Sequence, residues 1–240
     1  MSPNNQLKFA VIFDNDGVLV DTSELHWQSW QRLMEEERSL KMSRTQFTKT
    51  FGKRNDLILK ELVPHIEEEI SKKWAKRKEE IFRELARGKL TLMKGMEPFL
   101  ETLKAQGIPR IIASSTPPEN LHMFLTSTIL GNYFSHYVSA EEVLHGKPAP
   151  DVFIAAANQL GFDPKNCIVI EDSPAGLQAG RAAGCFVIAL ETSHPREDLF
   201  SYDLVYPSGD ELSLQEILDR FKVWKKTVCE NIGDRGLASS

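Results

Sequence analysis

Four short runs of this 240-residue chain are apolar at every position, and each stops at a polar residue. Phe9-Ala10-Val11-Ile12-Phe13 stops at Asp14, Ile111-Ile112-Ala113 at Ser114, and Cys167-Ile168-Val169-Ile170 at Glu171 and Asp172. Cys185-Phe186-Val187-Ile188-Ala189-Leu190 is the fourth, and Leu204-Val205-Tyr206 reads as a short fifth. Runs of this length, rich in β-branched and aromatic residues, read as strands, and strands without polar alternation are buried on both faces. Between them lie helical patterns: Glu97 to Gln106, Pro118 to Leu130, Pro150 to Leu160 and Pro174 to Ala183. Three open on proline and all four are followed by glycine, the usual punctuation of a helix. Strands alternating with helices predict an α/β fold, a doubly wound parallel sheet covered on both faces.

Residues 21–92 break the rhythm. His26 to Glu37, Asp56 to Val63 and Glu67 to Arg87 are helix-like, and no convincing strand occurs among them. The segment is expected to form a small all-helical domain inserted into a core built from residues 1–20 and 93–240. It carries 16 Lys/Arg against 13 Asp/Glu in a chain whose formal charge is −5. Solvated helix faces would explain that balance, and so would a mildly basic surface turned toward an anionic substrate. An acidic chain is a poor candidate for nucleic-acid binding. Three widely spaced cysteines, Cys167, Cys185 and Cys229, suit neither a disulfide framework nor a zinc site. Met1 to Lys8 has no signal-peptide pattern and no apolar run is long enough to span a bilayer, so a monomer in a reducing cytoplasm is expected. Gly233 to Ser240 reads as a frayed tail.

In an open α/β sheet, ligands bind beyond the carboxyl ends of the strands. There the sequence collects Asp14, Asp16, Ser114, Glu171 and Asp172, and Gly146-Lys147-Pro148 adds an ammonium. Carboxylates are hard oxygen ligands suited to Mg²⁺, which also takes water and substrate phosphate. A lysine and a cation can neutralise a phosphoryl group. A carboxylate can itself attack phosphorus to give an aspartyl-phosphate.

At these residues the chain resembles the haloacid dehalogenase-like superfamily. Phe13-Asp14-Asn15-Asp16-Gly17-Val18-Leu19-Val20-Asp21 is similar to its first motif, Ser114 after an apolar strand to its second, Gly146-Lys147-Pro148-Ala149-Pro150-Asp151 to its third, and Ile170-Glu171-Asp172-Ser173-Pro174-Ala175-Gly176 to its fourth. All four occur in family order, from about Lys8 to about Phe221, and the insert resembles the helical cap of the phosphoglucomutase-like and phosphoglycolate-phosphatase-like branch. The resemblance implies a Rossmann-like core and a Mg²⁺-dependent phosphatase acting on a small phosphorylated metabolite. Asp14 would be nucleophile and metal ligand. Asp16 would be general acid/base and a metal ligand through its backbone carbonyl. Asp172 and Glu171 would complete the metal site. Ser114 and Lys147 would bind the phosphoryl group, with backbone N–H groups of Asn15, Asp16 and Ser115 completing the cradle.

In the cap, His26 matches a histidine of the sugar-phosphomutase branch. Phe51-Gly52-Lys53-Arg54-Asn55 resembles the loop that reaches the active site, making Lys53, Arg54 and Asn55 candidate specificity residues. Two cations expected of a β-phosphoglucomutase align with Asn55 and Glu84, which favours a phosphatase over a mutase. Ser173 is expected to cap the Pro174 helix, Asp151 to fix its loop or cap a helix, and Asp21 either to cap the first insert helix or to join the site. Trp27 and Trp30 are expected to pack.

Overall fold

The computed structural model describes residues 8–236, with side chains as far as residue 227. The N-terminal stretch before Lys8, the side chain of Cys229 and the last four residues of the expected frayed tail lie outside the described residues. Six parallel strands form one sheet: β1 (Ala10–Phe13), β2 (Arg110–Ala113), β3 (Tyr137–Val138), β4 (Cys167–Glu171), β5 (Phe186–Leu190) and β6 (Leu204–Tyr206). Their order is β3-β2-β1-β4-β5-β6. The winding direction reverses between β1 and β4, the kind of crevice at which α/β proteins bind ligands. Phe13 is level with Ile112 on one side and Ile170 on the other, so Asp14, Ser114 and Glu171 emerge at one edge.

Alternate strand positions supply two cores, as period-2 geometry requires. Val11, Phe13, Ile112 and Ile170 pack on α5 (Met96–Ala105), α6 (Pro118–Ser127) and α9 (Leu214–Gly236). Ala10, Ile12, Ala113 and Val169 pack on α7 (Asp151–Leu160) and α8 (Pro174–Ala182). Between β1 and β2 stand α1 (Ser23–Glu36), α2 (Arg44–Thr50), α3 (Asn55–Leu62) and α4 (Glu68–Ala86). These four share a cluster of their own around Trp30, Leu33, Phe47, Leu59, Trp74 and Ile81, with Trp27 packed against it. The chain enters and leaves this helical segment side by side: Val20 bridges Leu92, and the Asp21 N–H donates to the Thr91 carbonyl at 3.0 Å.

The structure departs from the sequence expectation in four places. β3 is a two-residue edge strand among polar neighbours, too short to give a periodic signal. α2 is begun by a capping box in which Ser43 and Gln46 satisfy each other's backbone N–H groups. α6 stops at Ser127 because Thr128 turns extended; its hydroxyl donates to the Phe124 carbonyl and accepts from the Leu130 N–H, and a 3₁₀ turn follows. α9 continues through Gly236, so residues 233–236 of the expected tail are helical. Among the described residues no helix is long and apolar enough to cross a membrane.

Candidate active site

Asp14 follows the last residue of β1, and its backbone N–H continues the ladder to the Ile170 carbonyl at 3.0 Å. The side chain turns toward Lys147, which is buried; its Nζ lies 2.5 Å from Asp14 Oδ1 and 2.8 Å from Glu171 Oε1. Glu171 Oε2 accepts from the Asp172 and Ser173 N–H groups (2.7 and 2.6 Å) and from the Ser173 hydroxyl. Ser173 also caps α8, accepting from the Gly176 N–H, as expected. Gly176 is obligatory here, because a Cβ on it would overlap the Glu171 carboxylate. Gly17, in the left-handed region at φ 81°, likewise clears Asp172.

Asp14, Glu171 and Asp172 each present an oxygen, all within 4.8 Å of one another and all buried. One lysine faces three carboxylates. Burial pushes the Asp14 carboxyl up to about 7, against the pull of Lys147. Burial, with Glu171 and Asp14 nearby, pushes Asp172 well up too. Burial opposes the Lys147 charge, but Asp14 and Glu171 outweigh it and hold the ammonium above its ordinary range. A trio of oxygens this close, short of positive charge, fits a hard divalent cation. Glu171 already accepts from Lys147, Ser173 and two N–H groups, so Asp14 and Asp172 keep the freer oxygens.

Asp16 sits in a different environment. Oδ1 accepts from the Thr22 hydroxyl (2.7 Å) and faces His26 Nε2 (3.1 Å); Oδ2 accepts from the Thr116 hydroxyl (2.6 Å). Burial would raise this carboxyl, but hydrogen bonds from His26, Thr116 and Thr22 hold it well below the usual carboxylate range. The other ring nitrogen of His26, Nδ1, lies 2.6 Å from Lys78 Nζ. An ammonium only donates and an ionised carboxylate only accepts, so Nδ1 accepts and Nε2–H donates: the partners assign a neutral imidazole. His26 is stacked on Phe82 at 4.0 Å.

Lys78 also pairs with Glu79 Oε1 at 2.8 Å. The same oxygen accepts from Asn55 Nδ2 (2.6 Å), while Glu79 Oε2 accepts from Asn120 Nδ2 (2.6 Å). Asn120 in turn accepts from Arg83 (2.8 Å), so α4 is hydrogen-bonded to α6 of the core. None of Lys78, Glu79, Thr22, Thr116 or Asn120 was marked in the sequence. Lys78 and Glu79 lie in a run of alternating charge that reads as a solvated face; only docking of α4 buries them. Thr116, two residues after Ser114, was within reach of motif reasoning.

Of the site residues expected from the sequence, Asp14, Asp16, His26, Lys53, Asn55, Ser114 and Ser115 line one small cavity of about 40 Å³. Arg54 and Asn55 line an adjoining cleft of about 600 Å³. Lys53 reaches the cavity wall while pairing with Glu61 at 2.6 Å, and Arg54 packs on Gly146 and pairs with Asp56. The Asn15 side chain is wholly buried with no hydrogen-bond partner among the described residues. The backbone N–H groups of Asn15, Asp16 and Ser115 donate to no acceptor among the described residues. Asn15 and Asp16 follow β1 and Ser115 follows β2, so these three donors stand at the same edge of the sheet. Asp151 accepts from the His145 N–H and ring, fixing its loop, while Asp21 is exposed beside the Thr22 start of α1 and stands apart from the site. Glu84 pairs with Arg32 and Arg77 on the surface; the buried cap cation is Lys78 instead.

The model of the haloacid dehalogenase-like hydrolases matches residues 11–190, a span holding all four motifs. The chain belongs to this family. A solved hydrolase of the family (IA, variant 3) from Entamoeba histolytica superposes with a TM-score of 0.81 at 27% identity, covering 89% of this chain and 99% of that one. This places the chain in the branch whose cap follows the first motif. The 5-amino-6-(5-phospho-D-ribitylamino)uracil phosphatase of Arabidopsis thaliana, chloroplastic, is 33% identical over 87% of this chain, which spans only 56% of that relative's length. The β-phosphoglucomutase of Bacillus subtilis is 28% identical over 90% of this chain and 96% of its own.

Proposed function

We propose that this hydrolase is a Mg²⁺-dependent phosphatase that cleaves a small phosphorylated metabolite, a sugar phosphate or similar ester, through an aspartyl-phosphate on Asp14. The observation that carries the reading is the juxtaposition of the Asp14–Lys147–Glu171 bridge with three unspent backbone N–H groups. A tetrahedral dianion is the ligand that such a set of donors and one ammonium would hold. Phosphatase names among the relatives support the same chemistry.

The phosphoryl group would rest on the N–H groups of Asn15, Asp16 and Ser115, the Ser114 hydroxyl and Lys147. Mg²⁺, when held by Asp14, Asp172 and the Asp16 carbonyl with Glu171 behind them, supplies charge neutralisation at the phosphoryl oxygens. An Asp14 oxygen would attack phosphorus as its bond to the ester oxygen breaks, and that oxygen would depart with a proton from Asp16. The unliganded chain holds Asp16 ionised, so in the complex Asp16 must first take up that proton, with substrate relieving one of its three donors. The resulting carboxylate of Asp16, steadied by Thr22, His26 and Thr116, then removes a proton from the water that cleaves the aspartyl-phosphate. The cycle restores both aspartates. Residues 21–92 would act as the cap, on a core of residues 1–20 and 93–240, with the paired segments at Val20 and Leu92 as its hinge. Closure would exclude bulk water from the intermediate.

The test is phosphate release across a panel of phosphate esters with Mg²⁺, in the native protein and in Asp14→Asn. Release by the native protein and none by the variant is expected; turnover by Asp14→Asn would refute the nucleophile. A second reading, a β-phosphoglucomutase, draws on the cap cation Lys78 and on the mutase relative. Glu79 and His26 already engage that ammonium, which leaves little charge for a second phosphate. Formation of glucose 6-phosphate from β-glucose 1-phosphate without net phosphate release would favour the mutase.

A further inference from the structure

The larger cleft meets the catalytic cavity at a throat formed by Asn55, Glu79 and Ser115, which line both. One wall of the cleft is α4, whose stripe at Glu68, Lys72 and Lys76 lies beside a second, longer one. In the longer stripe Ser71, Ala75, Glu79 and Arg83 recur at four-residue steps and all line the cleft, as neighbours on one helix face must. From Glu79 to Ser71 the stripe runs eight residues, about 12 Å at 1.5 Å for each.

The stripe carries two unused hydrogen-bonding positions. An ionised carboxylate offers about four acceptor directions. Glu79 spends them on Asn55, Lys78 and Asn120, which leaves one on Oε2. Ser71 is 3% exposed, yet its hydroxyl finds no partner among the described residues. A serine within a helix ordinarily returns its hydroxyl to a carbonyl of the preceding turn. A buried hydroxyl left without a partner costs stability unless a ligand satisfies it. The lining as a whole balances five acidic against five basic side chains.

We propose that this cleft receives the leaving group of a phosphate monoester, that the group is uncharged, hydroxyl-bearing and about 12 Å long, and that Glu79 and Ser71 read its near and far ends. The assignment rests on the phosphatase reading for the seating of the phosphate, and deepens it. A short ester would fill the catalytic cavity and leave Ser71 unsatisfied. A second phosphate near the throat would meet the Glu79 carboxylate.

Calorimetric titration of the Asp14→Asn protein with Mg²⁺ tests this without turnover. The ligands are trehalose 6-phosphate, whose leaving group is long and uncharged, glycerol 1-phosphate, whose leaving group is short and uncharged, and fructose 1,6-bisphosphate, whose leaving group carries a second phosphate. We expect the long ester to bind at least about tenfold more tightly than the short, about 1.4 kcal/mol. Adding Ser71→Ala should weaken the long ester about fivefold and leave the short one unchanged. Adding Glu79→Gln should narrow the preference for the long ester over the bisphosphate by about fivefold. Equal binding of long and short esters, or an equal effect of Ser71→Ala on both, overturns the proposal. Should Glu79→Gln fail to fold, Ser71→Ala still decides, because deleting an unpartnered hydroxyl strands no other group. Phosphate release by the native protein is scored separately. Turnover without length preference sinks only the cleft assignment; length preference without turnover sinks only the phosphatase reading.

Discussion

Replacing Asp14 by Asn should stabilise the metal-free protein while destroying its activity. Three buried carboxylates share one ammonium, and Asp14 carries much of the resulting penalty. Its carboxyl is pushed from 3.8 up to about 7, chiefly by burial. At about 1.4 kcal/mol for each tenfold change in proton affinity, holding it ionised in the folded chain costs about 4 kcal/mol. The folded state therefore binds the proton more tightly than the unfolded state does. Stability linked to this group is fully present below pH 3.8 and is lost as pH rises through about 7. Asn imitates the protonated form and keeps an oxygen for Lys147. In EDTA the variant should match the native protein near pH 4 and exceed it by about 4 kcal/mol near pH 8, which in a chain of this size is about 10 °C in Tm. Mg²⁺ should close the gap, because it binds the native carboxylates and stabilises the folded state by mass action. Thermal unfolding at pH 4, 6 and 8, with EDTA or Mg²⁺, measures all of this. An Asp14→Asn protein less stable than native at pH 8 in EDTA would refute the account of the charge balance.

Other substitutions probe the frame around the site. Gly176→Ala should displace the Glu171 carboxylate and lower kcat/KM by about 10²-fold or more, since a shift of an ångström at reacting groups has that scale; activity within threefold of native would show that Glu171 can move freely. Trp30→Ala, in the centre of the helical segment's own cluster, should cost about 3–5 kcal/mol in urea unfolding, the range for a buried aromatic. Asn120→Ala leaves Glu79 Oε2 and Arg83 without their partner between α4 and α6, and should cost about 1–3 kcal/mol. EDTA should abolish phosphate release and Mg²⁺ restore it; full activity in EDTA would remove the metal from the mechanism.

What the sequence by itself determined was the part of the molecule written in local pattern. Runs such as Cys167 to Ile170, short and β-branched, read as strands buried on both faces, and the polar residues that end them fall at one edge of a parallel sheet because register and direction are shared. Hence the sequence alone places Asp14, Ser114 and Glu171 together. Lys147 could be placed from its motif. Tertiary structure decided what depends on the docking of one element on another. Lys78 and Glu79 stand among alternating charges on α4, and nothing local separates them from solvated neighbours such as Lys72 and Lys76. The helix buries them only because Phe82 is packed against Phe124 of the core and Arg83 meets Asn120. The family resemblance puts a second cation near Glu84, which faces out, whereas the ammonium that reaches His26 comes from six residues earlier on the same helix. Hydrogen-bond assignments followed the same division: Ser173 capping α8 is a local fact and was legible, but the three donors that hold Asp16 ionised come from the turn after β1, from α1 and from the loop after β2. Burial converts ordinary polar side chains into a site, and burial is a property of the packed chain.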